Sequence, residues 1–503
     1  MKPKYLLTVA AIVGATQVGF AQYSQDALRF SSFQPGSTSR IKAVGGAGTA
    51  IGGDLSSISG NPAGIGFFTR SEFSFTPEFD GSKVKSTYMG QGNNASKSSV
   101  NLSDIAAVFY APINTPRGAN KTEGWLSLNF GIAYDRTNNY YENVQYGGVN
   151  PNNSITDYYA NDANANTLND GSIAVGTLGD WGYKQYLIDQ YPDGTYKSSV
   201  TSPDPNTGAN INPNGVNQFN NAIRSGGQSE LSLSMGANYS NKLYLGLGIG
   251  ITNLRYNTTN TFTETGMNSV YTNPGYANMP YSNTYQQIQD TKGTGFNARF
   301  GFIYKPVESV RFGAVITTPT WYTIEDNYDE NMSTNIPGQP NRFNQPDEPY
   351  QFSYNLSTPL RVAGGVAVFF KQYGFISGDV EYLDYSSAHL SGDYNYSNDN
   401  NDIRVLYKSA VNAHIGAEAR VTPNVFLRGG YGVQGNALVN NGSQINTTSG
   451  GIGYRNSEFY IDATYSHING KQTLYPYELA SDSPSALLNK TNNNVYMTIG
   501  FRF

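Results

Sequence analysis

The chain has 503 residues, of which 14% are charged, against roughly 25% in an ordinary soluble domain. A formal net charge of −5 without a basic cluster gives nucleic-acid binding no electrostatic support. The absence of cysteine removes disulfides, thiolate metal sites and cysteine nucleophiles. The 55 glycines and 39 tyrosines suit turns, pleated strands and interfacial aromatics, not a helical bundle.

Residues 1–21 read as a secretory signal. Lys2 and Lys4 give the positive start, Leu6 to Val13 the short apolar stretch, and Gly19-Phe20-Ala21 a cleavage point before Gln22. An uncleaved N-terminal anchor is the alternative. No cysteine follows the cut, which argues against a lipoprotein. Beyond Ala21 no apolar run reaches the roughly 18 residues that a spanning helix needs. The mature chain is therefore either soluble or crosses a membrane with strands.

Residues 22–66 do not alternate. They carry the run KAVGGAGTAIGGDLSSISGNPAGIG, whose backbone groups would be unsatisfied in lipid. Inside a barrel the same segment can bond to wall side chains and water, so it is expected to form a luminal hatch or plug; a disordered periplasmic tail is the alternative. Pro62 fixes its own backbone and restricts Asn61, whose side chain offers donors and an acceptor to the wall.

From residue 67 to 503 a period of two dominates. Leu231, Leu233, Met235, Ala237 and Tyr239 share one face; after Ser240-Asn241-Lys242, so do Leu243, Leu245, Leu247, Ile249 and Ile251. Ser232, Ser234, Gly236, Gly246, Gly248 and Gly250 occupy the other face. Strands of about ten residues suit a tilted bilayer crossing, whereas soluble strands average about five or six. Fourteen strands are predicted, near 71–78, 104–112, 125–137, 229–239, 243–256, 293–305, 309–323, 349–370, 373–386, 406–420, 425–433, 446–455, 458–468 and 493–503. Apart from a first turn of medium length at 113–124, short links alternate with long ones at 79–103, 138–228, 257–292, 324–348, 387–405, 434–445 and 469–492, which is the pattern of short periplasmic turns opposite long extracellular loops. The expectation is an all-β transmembrane antiparallel β-barrel of about 14 strands with an N-terminal luminal hatch.

In the loop 138–228, Asp180 is expected to cap a short helix stopped by Pro192, with Tyr183, Leu187 and Tyr191 on one face as a ligand-capture groove; self-packing of the loop is the alternative. Arg299, Arg311, Arg361, Asp379, Glu381, Lys408, Glu418, Arg428, Asp462 and Arg502 fall on the predicted luminal face. One basic residue among them can hold a ligand carboxylate, but a mutually paired network is the default. The last strand, VYMTIGFRF, places Val495, Met497, Ile499, Phe501 and Phe503 outward, and the terminal Phe503 resembles the signal read by the outer-membrane insertion machinery.

Gly45-Gly46-Ala47-Gly48, Asp54-Leu55-Ser56-Ser57 and Asn61-Pro62-Ala63-Gly64 resemble the hatch signature of the FadL/OmpP1/TodX family of outer-membrane transporters. GFNARFGFIYKP (295–306), SGDVEYLDYSS (377–387) and IGAEARVTPNVFLRGGYG (415–432) are similar to that family's later strands. The resemblance implies a fourteen-stranded barrel with a luminal hatch in the Gram-negative outer membrane. It also implies passive uptake of long-chain fatty acids or aromatic hydrocarbons, without a cofactor and as a monomer. In such a channel the cargo is caught at the loops, enters a luminal pocket and leaves toward an opening in the wall when the hatch rearranges. Gly45, Gly46, Gly48, Asp54, Asn61, Pro62 and Ala63 carry the expected gating role. An enzyme, a haemin receptor using His389, His414 or His467, and a general porin or adhesin are the competing readings.

Overall fold

The computed structural model describes residues 23–503 apart from 35, 115–119, 121, 205–207 and 273–274. The signal-like segment 1–21 and part of the first turn, 113–124, lie outside the described residues.

The wall comprises β1 (Glu72–Tyr88), β2 (Gln91–Phe109), β3 (Trp125–Asn139), β4 (Glu142–Asn150), β5 (Val216–Tyr239), β6 (Leu243–Tyr271), β7 (Tyr276–Val307), β8 (Val310–Thr317), β9 (Trp321–Asn335), β10 (Tyr350–Ser357), β11 (Arg361–Phe369), β12 (Gly374–Asp384), β13 (Ser409–Arg420), β14 (Val425–Gln434), β15 (Ile445–Arg455), β16 (Phe459–Leu474) and β17 (Ala486–Arg502). Three pairs, β3 with β4, β8 with β9 and β10 with β11, each follow one path up the wall. This gives a closed antiparallel barrel of 14 strands. The last strand closes on the first, Glu72 opposite Arg502 and Phe75 opposite Ile499.

The alternation read from the sequence is the alternation of exposure. Leu233, Met235, Leu247, Ile249, Phe296, Phe312, Val366, Ile376, Ile415, Leu427, Ile452, Ile461 and Met497 all point outward, between 37% and 57% exposed. A continuous apolar belt of this size has no place in water, and lipid is its solvent. On β6 the outward residues turn from Leu247, Ile249 and Ile251 to Asn253, Arg255 and Asn257, so the belt covers about 28 Å along the strand from Leu243. Trp125 and Tyr239, with ring centroids 5.1 Å apart, mark its lower margin beside the short turns.

Two stretches expected as long loops are sheet instead. Residues 79–103 continue β1 and β2 to a turn at 89–90, and 257–292 continue β6 and β7 far above the belt. Outside the bilayer Asn257, Thr259, Thr261 and Thr263 need not be apolar, so the period of two loses its hydrophobic contrast there.

The long loop also differs from expectation. Its helix spans Leu178–Lys184 and is capped by Thr177, whose side chain accepts from Asp180 N; Asp180 lies inside the helix and is not the cap. The helix stops at Lys184, well before Pro192, and Ile188–Gln190 is a short strand. Tyr183, Leu187 and Tyr191 therefore share no helix face. Leu187 is fully buried in a core with Tyr159, Trp181, Ile188, Phe262, Tyr285 and Met332, while Tyr183 is 47% exposed. Loop and extended hairpins pack on each other because a segment this long must bury its own apolar residues above the membrane.

Two neighbouring wall strands break at the same height. Thr318-Pro319-Thr320 separates β8 from β9, and Thr358-Pro359-Leu360 separates β10 from β11. Proline lacks the N–H that a ladder needs. Side chains fill in: Thr320 N donates to Thr358 Oγ1 at 2.8 Å and Ala298 N to Thr318 Oγ1 at 3.0 Å.

Candidate functional site

The lumen is occupied by the chain's own N-terminal segment. Residues 23–31 are helical and lie high in the barrel, where Tyr23, Ala27 and Phe30 pack with Leu254, Tyr256, Tyr322, Tyr354 and Tyr407. The chain then descends. Gln34 N donates to Thr137 O at 2.8 Å, and a short helix, Ser39–Ala43, meets β16 and β17. Ser39 N donates to Thr498 Oγ1, and Ser39 Oγ to Thr464 Oγ1, both at 2.7 Å. Arg40 reaches Glu418 through two bonds of 2.8 and 3.0 Å. Glu418 also accepts from Arg428 at 2.6 Å, Arg428 pairs with Asp462 at 2.6 Å, and Asp462 with Arg455 at 2.5 Å. Four wall strands thus hold the segment through one ion network, and each buried charge in it has a partner.

The next turn is built from glycine. Gly45 and Gly46 have φ of +70° and +88°, a region that favours residues without a Cβ. Gly45 O accepts from His414 Nδ1 at 2.7 Å. Thr49 N donates to Asp379 Oδ2 at 2.7 Å, and Ile51 O accepts from Arg311. Asp54 caps the turn Leu55–Ser57 and accepts from Thr38 Oγ1 at 2.8 Å. Asn61 caps the turn Pro62–Phe67: its Oδ1 accepts from Ala63 N at 3.2 Å, and its Nδ2 donates to Thr49 O at 2.7 Å and Phe302 O at 3.2 Å. Asn129 of β3 then holds Ile65 O and Phe68 O, each at 2.9 Å.

The wall is shaped to receive this backbone. A Cβ at Gly246 would collide with Pro62 and Ala63, one at Gly301 with Asn61, one at Gly416 with Val44, and one at Gly430 with Val44 and Gly45. These four glycines face inward on four different strands. Their sequence signal, glycine at the non-apolar positions of alternating strands, was visible; its cause, close approach of a second backbone, was not.

Between the segment and the wall lies a cavity of about 130 Å³. It brings together Gly46, Gly48, Asp54 and Asn61 from the segment with Arg299, Arg361, Asp379, Glu381 and His414 from the wall. Gly45, Pro62 and Ala63 sit on the wall glycines. Tyr183, Leu187 and Tyr191 belong to the loop above. Of the charges expected inside, Arg299 pairs with Glu230, Arg502 with Glu72, and Glu418, Arg428 and Asp462 with one another; Lys408 is exposed above the wall, because β13 begins at Ser409. His389 is exposed on a short strand, and His467 Nδ1 lies 2.9 Å from Asn493 Oδ1. Among the described residues no group of three histidine, aspartate or glutamate side chains is placed to hold a metal ion.

One seam of the wall is short. β2 pairs with β3 only from Asp104 opposite Asp135 down to Phe109 opposite Phe130. Above it β3 shifts register against β5 between Arg136 and Asn138, and the β1–β2 hairpin leans across β4, with Ser86 Oγ donating to Gln145 O at 2.5 Å.

Solved structures share this architecture. The P. putida toluene transporter TodX aligns with a TM-score of 0.52, over 93% of this chain and 99% of its own, at 11% identity. A Pseudomonas aeruginosa FadL homologue aligns at 0.51 over 94% and 98%, with 14% identity. The monoaromatic hydrocarbon channel CymD aligns at 0.50 over 93% and 98%, with 12% identity. This is the fold of the FadL and TodX channels. The match extends to the whole length of those proteins, so the FadL-type barrel accounts for the chain from the luminal segment to the last strand. The sequence itself matches no family model and no curated protein sequence.

Proposed function

We infer that the protein is an outer-membrane channel for passive uptake of small hydrophobic molecules, long-chain fatty acids or aromatic hydrocarbons, and that residues 36–68 act as its hatch. The observation that carries the reading is a lipid-facing barrel whose lumen is closed by its own glycine-rich segment, with a cavity left between segment and wall. A sugar-coated outer surface and an aqueous pore offer an apolar solute no favourable site; a buried cavity does. The toluene and monoaromatic hydrocarbon channels of the same fold support a hydrophobic cargo. The hatch is held by hydrogen bonds and one ion network, contacts that can be exchanged for water or wall partners as it moves, and by small apolar clusters such as Leu55, Ile58 and Ile65 against Ala106, Val108 and Ala133. The short β2–β3 seam, beside which Gly36 packs against Asp135, is where released cargo would leave the lumen sideways.

The test is transport in liposomes containing the purified protein. A fluorescent fatty acid or a small aromatic should enter faster than into empty liposomes, while sugars should produce no swelling. Rapid swelling in sugars would show an open porin, and uptake of neither class would end the channel reading.

A further inference from the structure

We propose that the outward face of β1, β17 and β16, just above the apolar belt, binds an outer-leaflet lipid through phosphate on its headgroup. The proposal needs only the lipid-facing barrel and no particular cargo.

The patch follows from the register. Residues directly opposite each other in an antiparallel pair point to the same side. Phe79 lies opposite Val495, and Val495 opposite Tyr465; this row is 48%, 47% and 50% exposed and is the last row of the belt on this side. The next row holds Gly81, Asn493 and His467. Above it come Lys83, Thr491 and Asn469, and then Lys85, Asn489 and Lys471. Ser82, Val84 and Ser86 are buried on the inner face, so Lys83 and Lys85 point out, and Lys471 is exposed beside them. Lys83 and Lys85 stand roughly 14 and 20 Å along β1 from Phe79, and less than that in height because barrel strands tilt. Their flexible stems reach back toward the interface. Lys85 and Lys471 flank Asn489, two inter-strand spacings or roughly 10 Å apart.

The charge of this patch is uncompensated. Among the described residues, none of the three ammonium groups has a side-chain hydrogen bond or an ion pair. No aspartate or glutamate holds an outward position on these strands above the belt. The nearby acids face inward and are engaged there: Asp80 accepts from Asn139 Nδ2, and Glu142 pairs with Lys490 at 2.8 Å. The rim over β6, β7 and β9 is different. Arg255 and Lys292 face each other on its outward side, but Lys292 meets Asp290 at 3.4 Å and lies opposite Glu325.

The chemistry of the ligand follows. Like charges on adjoining strands repel, and an anion between them offsets that cost. Ammonium groups converging from different directions suit the several oxygens of a phosphate, whereas a planar carboxylate is matched best by a guanidinium. Asn489 and Thr491 add neutral donors between the lysines. A soluble anion would gain only these contacts. A lipid also lays its acyl chains on Phe75, Phe79, Val495 and Met497 directly below, so both of its ends are matched at once.

The experiment is native mass spectrometry of the detergent-solubilised full-length protein, titrated with bis-phosphorylated lipid A or with the same lipid after dephosphorylation. The wild type should hold the phosphorylated lipid about tenfold or more tightly, and rising salt should weaken the preference. A protein carrying Lys83→Gln, Lys85→Gln and Lys471→Gln should lose the preference with binding of the dephosphorylated lipid unchanged. One carrying Arg255→Gln and Lys292→Gln should keep it. Equal retention of the two lipids by the wild type overturns the proposal without any variant having to fold. So does a preference that survives in the folded lysine variant, one that is lost equally in the β6–β7 variant, or displacement of the lipid by millimolar inorganic phosphate. Liposome uptake should be unchanged in the lysine variant; failure of uptake in the wild type would fall on the channel reading and leave this one standing.

Discussion

At the scale of single residues, the lumen is governed by what is missing from the wall. Gly246, Gly301, Gly416 and Gly430 make room for Pro62, Asn61, Val44 and Gly45, so hatch and wall meet backbone to backbone. Gly430→Val should push the Gly45 turn off the wall at an overpacking cost of about 1–3 kcal/mol, leaving the barrel intact. Planar-bilayer recordings should then show higher or burst-like ion conductance than the wild type; a quiet variant with unchanged heat stability would mean that this contact does not hold the hatch shut. Part of the segment was legible from the sequence, its glycines as tight turns and Asn61 beside Pro62 as a side chain offered to the wall; the capping by Asp54 and Asn61 was not read there. Nor were the segment's partners, since Arg40 with Glu418, or Phe33 with Arg361, are joined across hundreds of residues that no local pattern relates.

At the scale of elements, the strands were readable wherever lipid enforces contrast between their faces and unreadable above it. The ladders of β6 and β7 were clear through Ile251 and Phe296 and vanished among the threonines and asparagines of their extensions. The helix Leu178–Lys184 was placed too long because Leu187, buried in the loop's own core, mimics a helical apolar position. Another outer element carries a pH dependence. The helix Ser397–Leu406 lies outside the spanning segments, and its Asn400 clamps Leu390 through two bonds of 2.8 Å. Burial pushes the neighbouring Asp399 carboxyl from 3.8 up to about 7. For a carboxyl raised in the folded state, the stabilising contribution is complete below the unfolded value and is lost as pH rises through the folded one. Amide exchange of 389–406, corrected for its intrinsic rate, should therefore show stronger protection at about pH 5 than at about pH 8. Asp399→Asn should abolish the difference; an unaltered pH response in that variant would assign it to another group.

At the scale of the whole molecule, the sequence supplied the barrel, its strand number and its lipid-facing side, because a closed sheet in a bilayer repeats one rule fourteen times. It did not supply the shape of the lumen, which depends on how a non-repeating segment fits into it. The central claim is that this segment is a hatch that must move for cargo to pass. Ser39 and Thr464 bring their hydroxyl oxygens to 2.7 Å across the interface between segment and wall, and the chain has no cysteine to interfere. A protein carrying Ser39→Cys and Thr464→Cys can therefore be locked by oxidation and released by reduction. Uptake of a hydrophobic probe into liposomes should stop in the oxidised protein and return on reduction; uptake at the wild-type rate with the disulfide intact would contradict the account.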